Sequence, residues 1–455
     1  MIKRILSSQL RINMFSGVAT TIVNSAALAI AYPLYLHFLG YEKYGVWLVL
    51  ATVLTFAQLG NLGIDQAVMK LVAEEYGRNN IEGIQRYVTT AIALLCISGT
   101  TVLTGILALQ NQIIALFKLN DENARMVLWL LPYISILSIY VFIVHVLNAV
   151  LSGLGRMDLA NYIQSVSKIM TVVVAAILLY NGRGIESLLI ASTLSYVFIH
   201  VASLICIWRI ANIRFLQIAN LNIQRGKHIL SFCGAAFGGS LINMLFSPFN
   251  KLMLSRYAGV ASIPVYEIAF TGSMQIRGLI VAGLRPLMPE ISRIGGSTTR
   301  YVKDRIFQIY RRAMKFVFLS GVPLYAGLII AAPLLLRVWL GDRFVETLPG
   351  AFRIMLIGTF LSLLGVPAYY TLMGIGYVRH NLVSHIVQSI VNIVIVLGVL
   401  IASTVSAATV VWSSSIAMAG STLYLILQKK RVFQHVGNNL YQSGTNKENV
   451  ETALV

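Results

Sequence analysis

The 455-residue chain has few charged side chains, and few of those are acidic. Asp, Glu, Lys and Arg together make up 11% of the residues, whereas a soluble domain carries about 25%. Hydrophobic residues account for 57% of the chain. This shortage of charge excludes an ordinary water-soluble domain and predicts that most of the chain lies in a membrane.

Residues suited to covalent chemistry are also scarce. The three cysteines lie apart in apolar runs and form no C-x-x-C pair, so neither a disulfide framework nor a metal site is expected. The sequence contains no G-x-x-x-x-G-K-[ST] loop, which excludes nucleotide hydrolysis of the P-loop kind. His380 and His385 form the closest histidine pair in the apolar runs, and their spacing of five residues is not typical of a metal site. We therefore expect no enzymatic activity and no cofactor.

Long apolar runs dominate the sequence. A helix needs about 20 mostly apolar residues to cross a bilayer, and twelve segments meet this requirement. They are residues 14–39, 45–69, 87–110, 127–152, 160–181, 187–208, 229–255, 262–284, 316–340, 347–373, 381–402 and 406–428. The predicted fold class is an all-α polytopic membrane protein with about twelve transmembrane helices.

The positive residues predict the orientation of these helices. With the N-terminus in the cytoplasm, the inner segments hold 22 Lys and Arg residues and the outer segments hold 8. Short cytoplasmic loops are enriched in Lys and Arg, so both termini are predicted to be cytoplasmic. The same bias explains most of the net charge of +19. The basic cluster from Arg293 to Lys315 is therefore interpreted as a topology signal, and no nucleic-acid partner is expected.

Landmark residues recur at a nearly constant offset. Gly40 and Gly259 lie 219 residues apart, and the pattern Leu-x-Gly-x-Gly at 151–155 recurs 221 residues later at 372–376. Repeats of this kind are typical of secondary transporters and predict two pseudo-symmetric six-helix lobes around a central cavity. The predicted parts are an N-lobe at 1–210, a cytoplasmic linker at 211–228, a C-lobe at 229–431 and a disordered tail at 432–455.

Several stretches resemble a known transporter family. Residues 39–47 read Leu-Gly-Tyr-Glu-Lys-Tyr-Gly-Val-Trp, and residues 59–65 read Leu-Gly-Asn-Leu-Gly-Ile-Asp. In the second half, residues 250–254 read Asn-Lys-Leu-Met-Leu and residues 284–292 read Leu-Arg-Pro-Leu-Met-Pro-Glu-Ile-Ser. These stretches are similar to the polysaccharide transport family of the multidrug/oligosaccharidyl-lipid/polysaccharide exporter superfamily. The resemblance covers nearly the whole chain.

The resemblance implies a flippase in the bacterial inner membrane. Its substrate would be an undecaprenyl-diphosphate-linked oligosaccharide, such as an O-antigen repeat unit, moved from the cytoplasmic to the outer leaflet by alternating access. The implied partners are this lipid-linked glycan, the membrane lipids and other membrane proteins of polysaccharide assembly. The family often has Asp where Asn250 stands, so this chain departs from the family pattern at that position.

Charged residues inside the predicted spans are the strongest functional signal. A charge at the bilayer centre costs about 2.5–3.5 kcal/mol on insertion scales, so it usually faces a cavity or a partner. The five residues are Asp65, Lys168, Lys251, Glu267 and Arg277. We predict that the three cations bind the diphosphate, because a guanidinium fork and an ammonium charge both suit phosphate oxygens. The two carboxylates are predicted to pair with charges or to act in gating.

Polar and aromatic side chains in the spans are predicted to contact the sugars. They are Asn243, Gln275, Gln388, Asn392 and Tyr140. For each of them, a hydrogen bond between helices is an equally good interpretation. Lys251 is near the predicted outer face, where its side chain can also reach the headgroups.

Two other functions are weighed against the flippase. An organic-cation antiporter of the same superfamily would need acidic residues deep in its cavity, whereas three of the five intramembrane charges are positive. A membrane glycosyltransferase or polymerase would need a sizeable outer loop, and the predicted outer loops are short. The energy source stays open between the membrane potential and antiport of protons or sodium through Asp65 or Glu267.

Overall fold

The protein is helical throughout the part that the computed structural model describes. That part comprises residues 2–61, 63–211, 223–284, 287, 291, 302–375, 377–402 and 405–428, and the regular structure in it is all helical. Helices suit a chain that crosses a bilayer, because they satisfy their backbone hydrogen bonds internally. The chain divides into two compact units, unit 1 over Met1–Pro264 and unit 2 over Val265–Val455.

Unit 1 is built from helices α1 to α8. They are α1 Ile2–Ala57, α2 Ile64–Gly77, α3 Ile81–Ala108, α4 Gln110–Phe117, α5 Asp121–Gly153, α6 Met157–Tyr180, α7 Glu186–Ala211 and α8 Ile223–Ala258. The predicted linker at 211–228 lies mostly outside the described residues. Helix α8, which was predicted to open the C-lobe, contacts α1, α2 and α3 and therefore packs within unit 1.

Unit 2 is built from helices α9 to α13. They are α9 Ile263–Leu284, α10 Val302–Leu340, α11 Thr347–Gly374, α12 Val378–Ala402 and α13 Ala407–Gln428. The predicted tail at 432–455 lies outside the described residues. Helix α9 begins two residues before the division between the units and belongs almost wholly to unit 2.

The described helices confirm a multi-pass membrane protein. Among them, nine continuous runs are long and apolar enough to cross a membrane. One of these runs, Phe15–Thr55, covers the predicted segment 14–39 and the first part of the segment 45–69, with a break in α1 between them at Gly40. The prediction that one helix continues to residue 69 is wrong, because α1 ends at Ala57 and α2 begins at Ile64. Helices α8 and α9 occupy the two predicted segments that the nine runs do not include. The total of twelve membrane crossings stays a prediction.

The outward faces of the helices are strongly apolar, as lipid contact requires. On α10, Leu319 is 81% exposed and Ile330 and Val338 are each 77% exposed, and on α12 Ile401 is 89% exposed. A soluble protein seldom exposes contiguous apolar patches of this kind, and they mark contact with a membrane or a partner.

Two glycines produce matching breaks in the helical chain. Gly40 has φ 67° and ψ 178°, and Gly259, which separates α8 from α9, has φ 84° and ψ 155°. This region of backbone conformation is essentially restricted to glycine, because a Cβ atom clashes there. Gly40 and Gly259, which lie 219 residues apart in the predicted repeat, therefore share an unusual backbone conformation. The division into two six-helix lobes itself stays a prediction.

Hydrogen bonds between side chains join α1 to α6 inside unit 1. Asn161 Nδ2 donates to Ser16 Oγ at 3.0 Å, and Ser165 Oγ donates to Thr20 Oγ1 at 2.9 Å. Thr20 Oγ1 also donates to the Asn161 carbonyl oxygen at 3.1 Å. Small polar residues let membrane helices approach closely and bond to one another, so these contacts fix how the two helices pack.

Small residues bring α11 and α13 together in unit 2. A Cβ atom at Gly358 would lie 2.5 Å from Ser415 Cβ, and one at Gly365 would lie 2.9 Å from Thr422 Oγ1. Neither position has room for a side chain. The two glycines lie seven residues apart on α11, so they form one contact surface along the helix.

Candidate functional site

Arg277 lies in the second half of α9, the helix with which unit 2 begins. The surrounding run is apolar, and the side chain is half-buried. Its Nε atom is buried and has no hydrogen-bond partner among the described residues. The ion pairs found in the described part of the chain do not include Arg277. Arg277 was predicted to be a cation deep in the membrane. In the described part of the chain, no carboxylate forms an ion pair with its guanidinium.

Aromatic side chains from two further helices surround this guanidinium. Arg277 interacts electrostatically with the hydroxyl groups of Tyr325 on α10 and of Tyr369 and Tyr370 on α11. Tyr325 is almost completely buried, and its ring packs 5.3 Å from the ring of Phe360. Tyr369 and Tyr370 meet edge to face at a ring separation of 5.7 Å. Their hydroxyl groups can each donate and accept a hydrogen bond.

Helix α12 adds a polar face to the same group of helices. Asn381, His385, Gln388 and Asn392 follow one another at intervals of four, three and four residues, which places them on one side of the helix. Asn381 Nδ2 donates to the backbone oxygen of Tyr369 at 3.2 Å, while its Oδ1 atom is buried with no partner in the described part of the chain. We define these four residues of α12, with Arg277 and the three tyrosines, as the unit 2 polar cluster.

Two predicted sugar contacts on α12 have different surroundings. Asn392 is 1% exposed, and its Oδ1 atom accepts a hydrogen bond from Ser413 Oγ of α13 at 3.0 Å. This is the hydrogen bond between helices that was weighed as the alternative. Gln388 is half-buried, as is Gln275 on α9. Their role as substrate contacts stays a prediction.

The remaining predicted residues lie mainly in unit 1. Tyr140 of α5 stacks on His200 of α7, with ring centroids 5.4 Å apart and an interplanar angle of 2°. Lys168 on α6 and Lys251 on α8 are both half-buried. The side chain of Asn243 lies outside the described part of the structure.

The two carboxylates predicted to lie in the membrane have local partners. Asp65 lies in the first turn of α2, outside the runs that are long and apolar enough to cross a membrane, and its Oδ1 atom accepts a hydrogen bond from the Gln66 amide at 2.9 Å. It also interacts electrostatically with His145 of α5. Glu267 in unit 2 accepts a hydrogen bond from Thr271 Oγ1 at 2.9 Å, one turn along α9. The role of Asp65 and Glu267 in charge pairing or gating stays a prediction.

Five residues of the unit 2 polar cluster were not predicted from the sequence. They are Tyr325, Tyr369, Tyr370, Asn381 and His385. Tyrosines are frequent in membrane spans, so their positions carried little information by themselves. A usable signal was the spacing of His385 relative to Gln388 and Asn392, which places all three on one helical face.

The cluster can recognise an anion and sugar hydroxyls, and it offers no set of metal ligands. An arginine fork bonds two oxygens of a phosphate group at once, and the tyrosine and amide groups supply further donors and acceptors. The described residues include no group of His, Cys, Asp and Glu side chains suited to a metal ion. Apolar spans with an internal cation that no described carboxylate neutralises are typical of a membrane transporter.

Comparison with known sequences assigns the chain to a family. A family model described as "Polysaccharide biosynthesis protein" matches residues 37–349, and the chain belongs to that family. The "Putative O-antigen transporter" of Shigella flexneri is 19% identical over 345 residues, which cover 74% of this chain and 78% of that protein. The family of the present chain and its structural neighbours are transporters and flippases, not enzymes.

Two solved structures share the fold. An inward-facing multidrug resistance MATE family transporter of the MOP superfamily aligns with a TM-score of 0.73 at 16% identity, covering 95% of this chain and 99% of the other. The lipid II flippase MurJ, in an inward closed conformation, aligns with a TM-score of 0.72 at 15% identity, covering 94% and 90%. The predicted superfamily and the predicted all-α transporter fold are thus confirmed.

Proposed function

We propose that this protein is a flippase for undecaprenyl-diphosphate-linked oligosaccharide, such as an O-antigen repeat unit. The family, the relative named for O-antigen and the fold shared with a lipid II flippase all support a lipid-linked glycan as substrate. The observation that carries the proposal is Arg277, a membrane-embedded guanidinium without an ion pair in the described residues.

An arginine in this environment favours an anionic ligand. Burying a charge is costly unless the charge is paired and hydrogen-bonded. A diphosphate that links a lipid to a sugar carries two negative charges on several oxygens, and the guanidinium fork matches that geometry. Tyr369 and Tyr370 interact electrostatically with Arg277, and their hydroxyl groups can bond phosphate oxygens or sugar hydroxyls. The lipid tail stays in the bilayer in this scheme.

The direction of transport and the membrane are part of the proposal. Movement runs from the cytoplasmic to the outer leaflet of the bacterial inner membrane by alternating access, with both termini in the cytoplasm. The other substrate contacts that we propose are Lys168, Lys251, Asn243, Gln275, Gln388, Asn392 and Tyr140. Asp65 and Glu267 take the role of charge pairing and gating.

Complementation tests the substrate and the residue together. A strain that lacks the protein should accumulate lipid-linked oligosaccharide on the cytoplasmic face and lose the surface polysaccharide. Arg277→Ala removes a charge-assisted bond of about 1.5–3 kcal/mol, which is roughly a 10- to 100-fold loss of export rate. Arg277→Lys should keep part of the activity, because the charge remains while the planar fork is lost.

Arg312→Ala is the matched control for this experiment. It removes the same side chain from an exposed position of α10 in the same unit. Export should be close to wild type, with each variant present in the membrane at the wild-type level. Normal export by Arg277→Ala would remove this residue from the binding site. If the deletion strain accumulates no lipid-linked sugar, the substrate assignment is wrong.

Organic-cation antiport is the second candidate, because the same fold is found in a multidrug transporter. That function would depend on a carboxylate, for which Glu267 on α9 is the unit 2 candidate. The deletion strain would then become sensitive to lipophilic cations. Glu267→Gln would abolish the resistance, and Arg277→Ala would leave it intact.

A further inference from the structure

His385 lies in the unit 2 polar cluster, and the function proposed above gives it no role. Its side chain is half-buried on α12, and its Nδ1 atom is buried without a hydrogen-bond partner in the described part of the chain. The imidazole packs against the ring of Tyr369, with centroids 6.2 Å apart and an interplanar angle of 68°. It also interacts electrostatically with the guanidinium of Arg277.

The groups close to His385 include one cation and the ring of Tyr369. The cation is Arg277 from α9, and the hydroxyl groups around it come from Tyr325 on α10 and from Tyr369 and Tyr370 on α11. No carboxylate of the described residues forms an ion pair with either basic group. Like charges repel each other strongly where the dielectric constant is low. A positive charge on His385 and the charge of Arg277 therefore repel each other while no anion lies between them.

An anion between the two basic groups reverses this situation. A diphosphate diester brings two negative charges, of which Arg277 neutralises one. A protonated His385 would neutralise the second and would donate an N–H group to a phosphate oxygen. The two positive charges then equal the two negative charges of the ligand, so the occupied site is neutral.

We propose that His385 is a second, proton-dependent ligand for the anionic group of the substrate, bound together with Arg277. This inference rests on the proposed function. One proton passes from solvent to the imidazole for each diphosphate that binds, and no bond of the substrate forms or breaks. The unit 2 polar cluster thereby takes up substrate and proton together.

Binding to the full-length protein in nanodiscs tests the proposal. The probe is a short-chain polyprenyl diphosphate that carries one sugar, because a diphosphate esterified at both ends does not change its charge between pH 5.5 and 8.5. The Kd should rise about tenfold across that interval, as expected for the loss of one charge-assisted bond when the imidazole gives up its proton. Calorimetry in buffers of different ionisation heat should record proton uptake on binding at neutral pH.

Two histidine variants on the same helix separate the proposed group from other titrating residues. His385→Gln should bind at pH 5.5 about tenfold more weakly than wild type, and its Kd should be nearly independent of pH. His380→Gln is the control, because His380 Nδ1 is already hydrogen-bonded to the Tyr424 hydroxyl at 3.1 Å. This variant should keep the wild-type pH profile.

The outcomes distinguish this inference from the function on which it rests. If the wild-type protein does not bind the probe at any pH, the proposed function fails, and if Arg277→Ala binds it as tightly as wild type, Arg277 is not part of the binding site. If Arg277→Ala binds weakly while His385→Gln keeps the pH profile, only the role of His385 is overturned. The calorimetric proton uptake is measured on the wild-type protein, so an absence of uptake overturns the proposal even if the His385 variant does not fold.

Discussion

A hydrogen bond between α10 and α11 allows unit 2 to tolerate a proline, and the cost of losing this bond can be predicted. Pro333 lies inside α10 and has no amide hydrogen, so it cannot bond the carbonyl oxygen of Ile329 four residues earlier. Arg353 of α11 donates its Nε–H to that same oxygen at 2.8 Å. The side chain thus replaces the missing backbone donor. Such replacement allows a proline to persist in a membrane helix.

The loss of stability can be estimated from the hydrogen bond between Arg353 and the Ile329 oxygen. Arg353→Met keeps much of the apolar stem and leaves the Ile329 oxygen without its donor. An unsatisfied buried acceptor costs about 1–3 kcal/mol, and a bond from a charged donor contributes about 1.5–3 kcal/mol. We expect the free energy of unfolding to fall by about 2 kcal/mol.

A double-mutant cycle with Pro333→Ala isolates this bond. The Pro333→Ala substitution restores an amide that can bond the Ile329 oxygen, so Arg353→Met should cost about 1–2 kcal/mol less in that background. Reversible unfolding in mixed detergent micelles gives the free energies, and Arg312→Met controls for removing an exposed cation from α10. Equal costs of Arg353→Met in the wild-type and Pro333→Ala backgrounds would refute the reasoning.

Three further predictions concern topology, packing and energy. Single cysteines at Lys43, Arg183 and Asp342 should react with an impermeant thiol reagent from outside, and labelling of cysteines placed within residues 293–315 instead would reverse the orientation. Gly358→Val should destabilise unit 2 by about 1–3 kcal/mol, measured by unfolding, because the new side chain overlaps Ser415. Gly350→Val, at an α11 position with open space, is its control. In proteoliposomes, a potassium-valinomycin potential should drive transport without a pH or sodium gradient. Transport that ignores this potential yet stops in Asp65→Asn or Glu267→Gln would favour antiport.

The helices of unit 2 show how far hydropathy determines the fold. The predicted segments 347–373 and 381–402 agree with α11 Thr347–Gly374 and α12 Val378–Ala402 within three residues. The prediction for α10 began at 316, whereas the helix begins at Val302. Hydropathy finds only the part of a helix that lies in lipid. The turns before 316 are basic and amphipathic, so the apolar run does not include them.

The candidate site was predictable only where a residue type is rare in lipid. Arg277 stood out because an isolated charge in an apolar run is costly. Tyr369 and His385 gave no comparable signal, since aromatic and imidazole groups occur in spans without a functional reason. Their meaning comes from the packing of α9 to α12, which no local pattern of the sequence specifies.

The charge carried by the substrate links the binding site to the energy of transport. Moving one charge across 100 mV is worth about 2.3 kcal/mol, so two negative charges leaving an inside-negative cell gain about twice that amount. If the proton on His385 leaves with the substrate, only one negative charge crosses and the gain is halved. If the proton returns to the cytoplasm when the diphosphate departs, the full gain is kept. In the proposed scheme, the basic groups of the unit 2 polar cluster set the affinity for the diphosphate, and the fate of one proton sets how strongly the membrane potential drives its export.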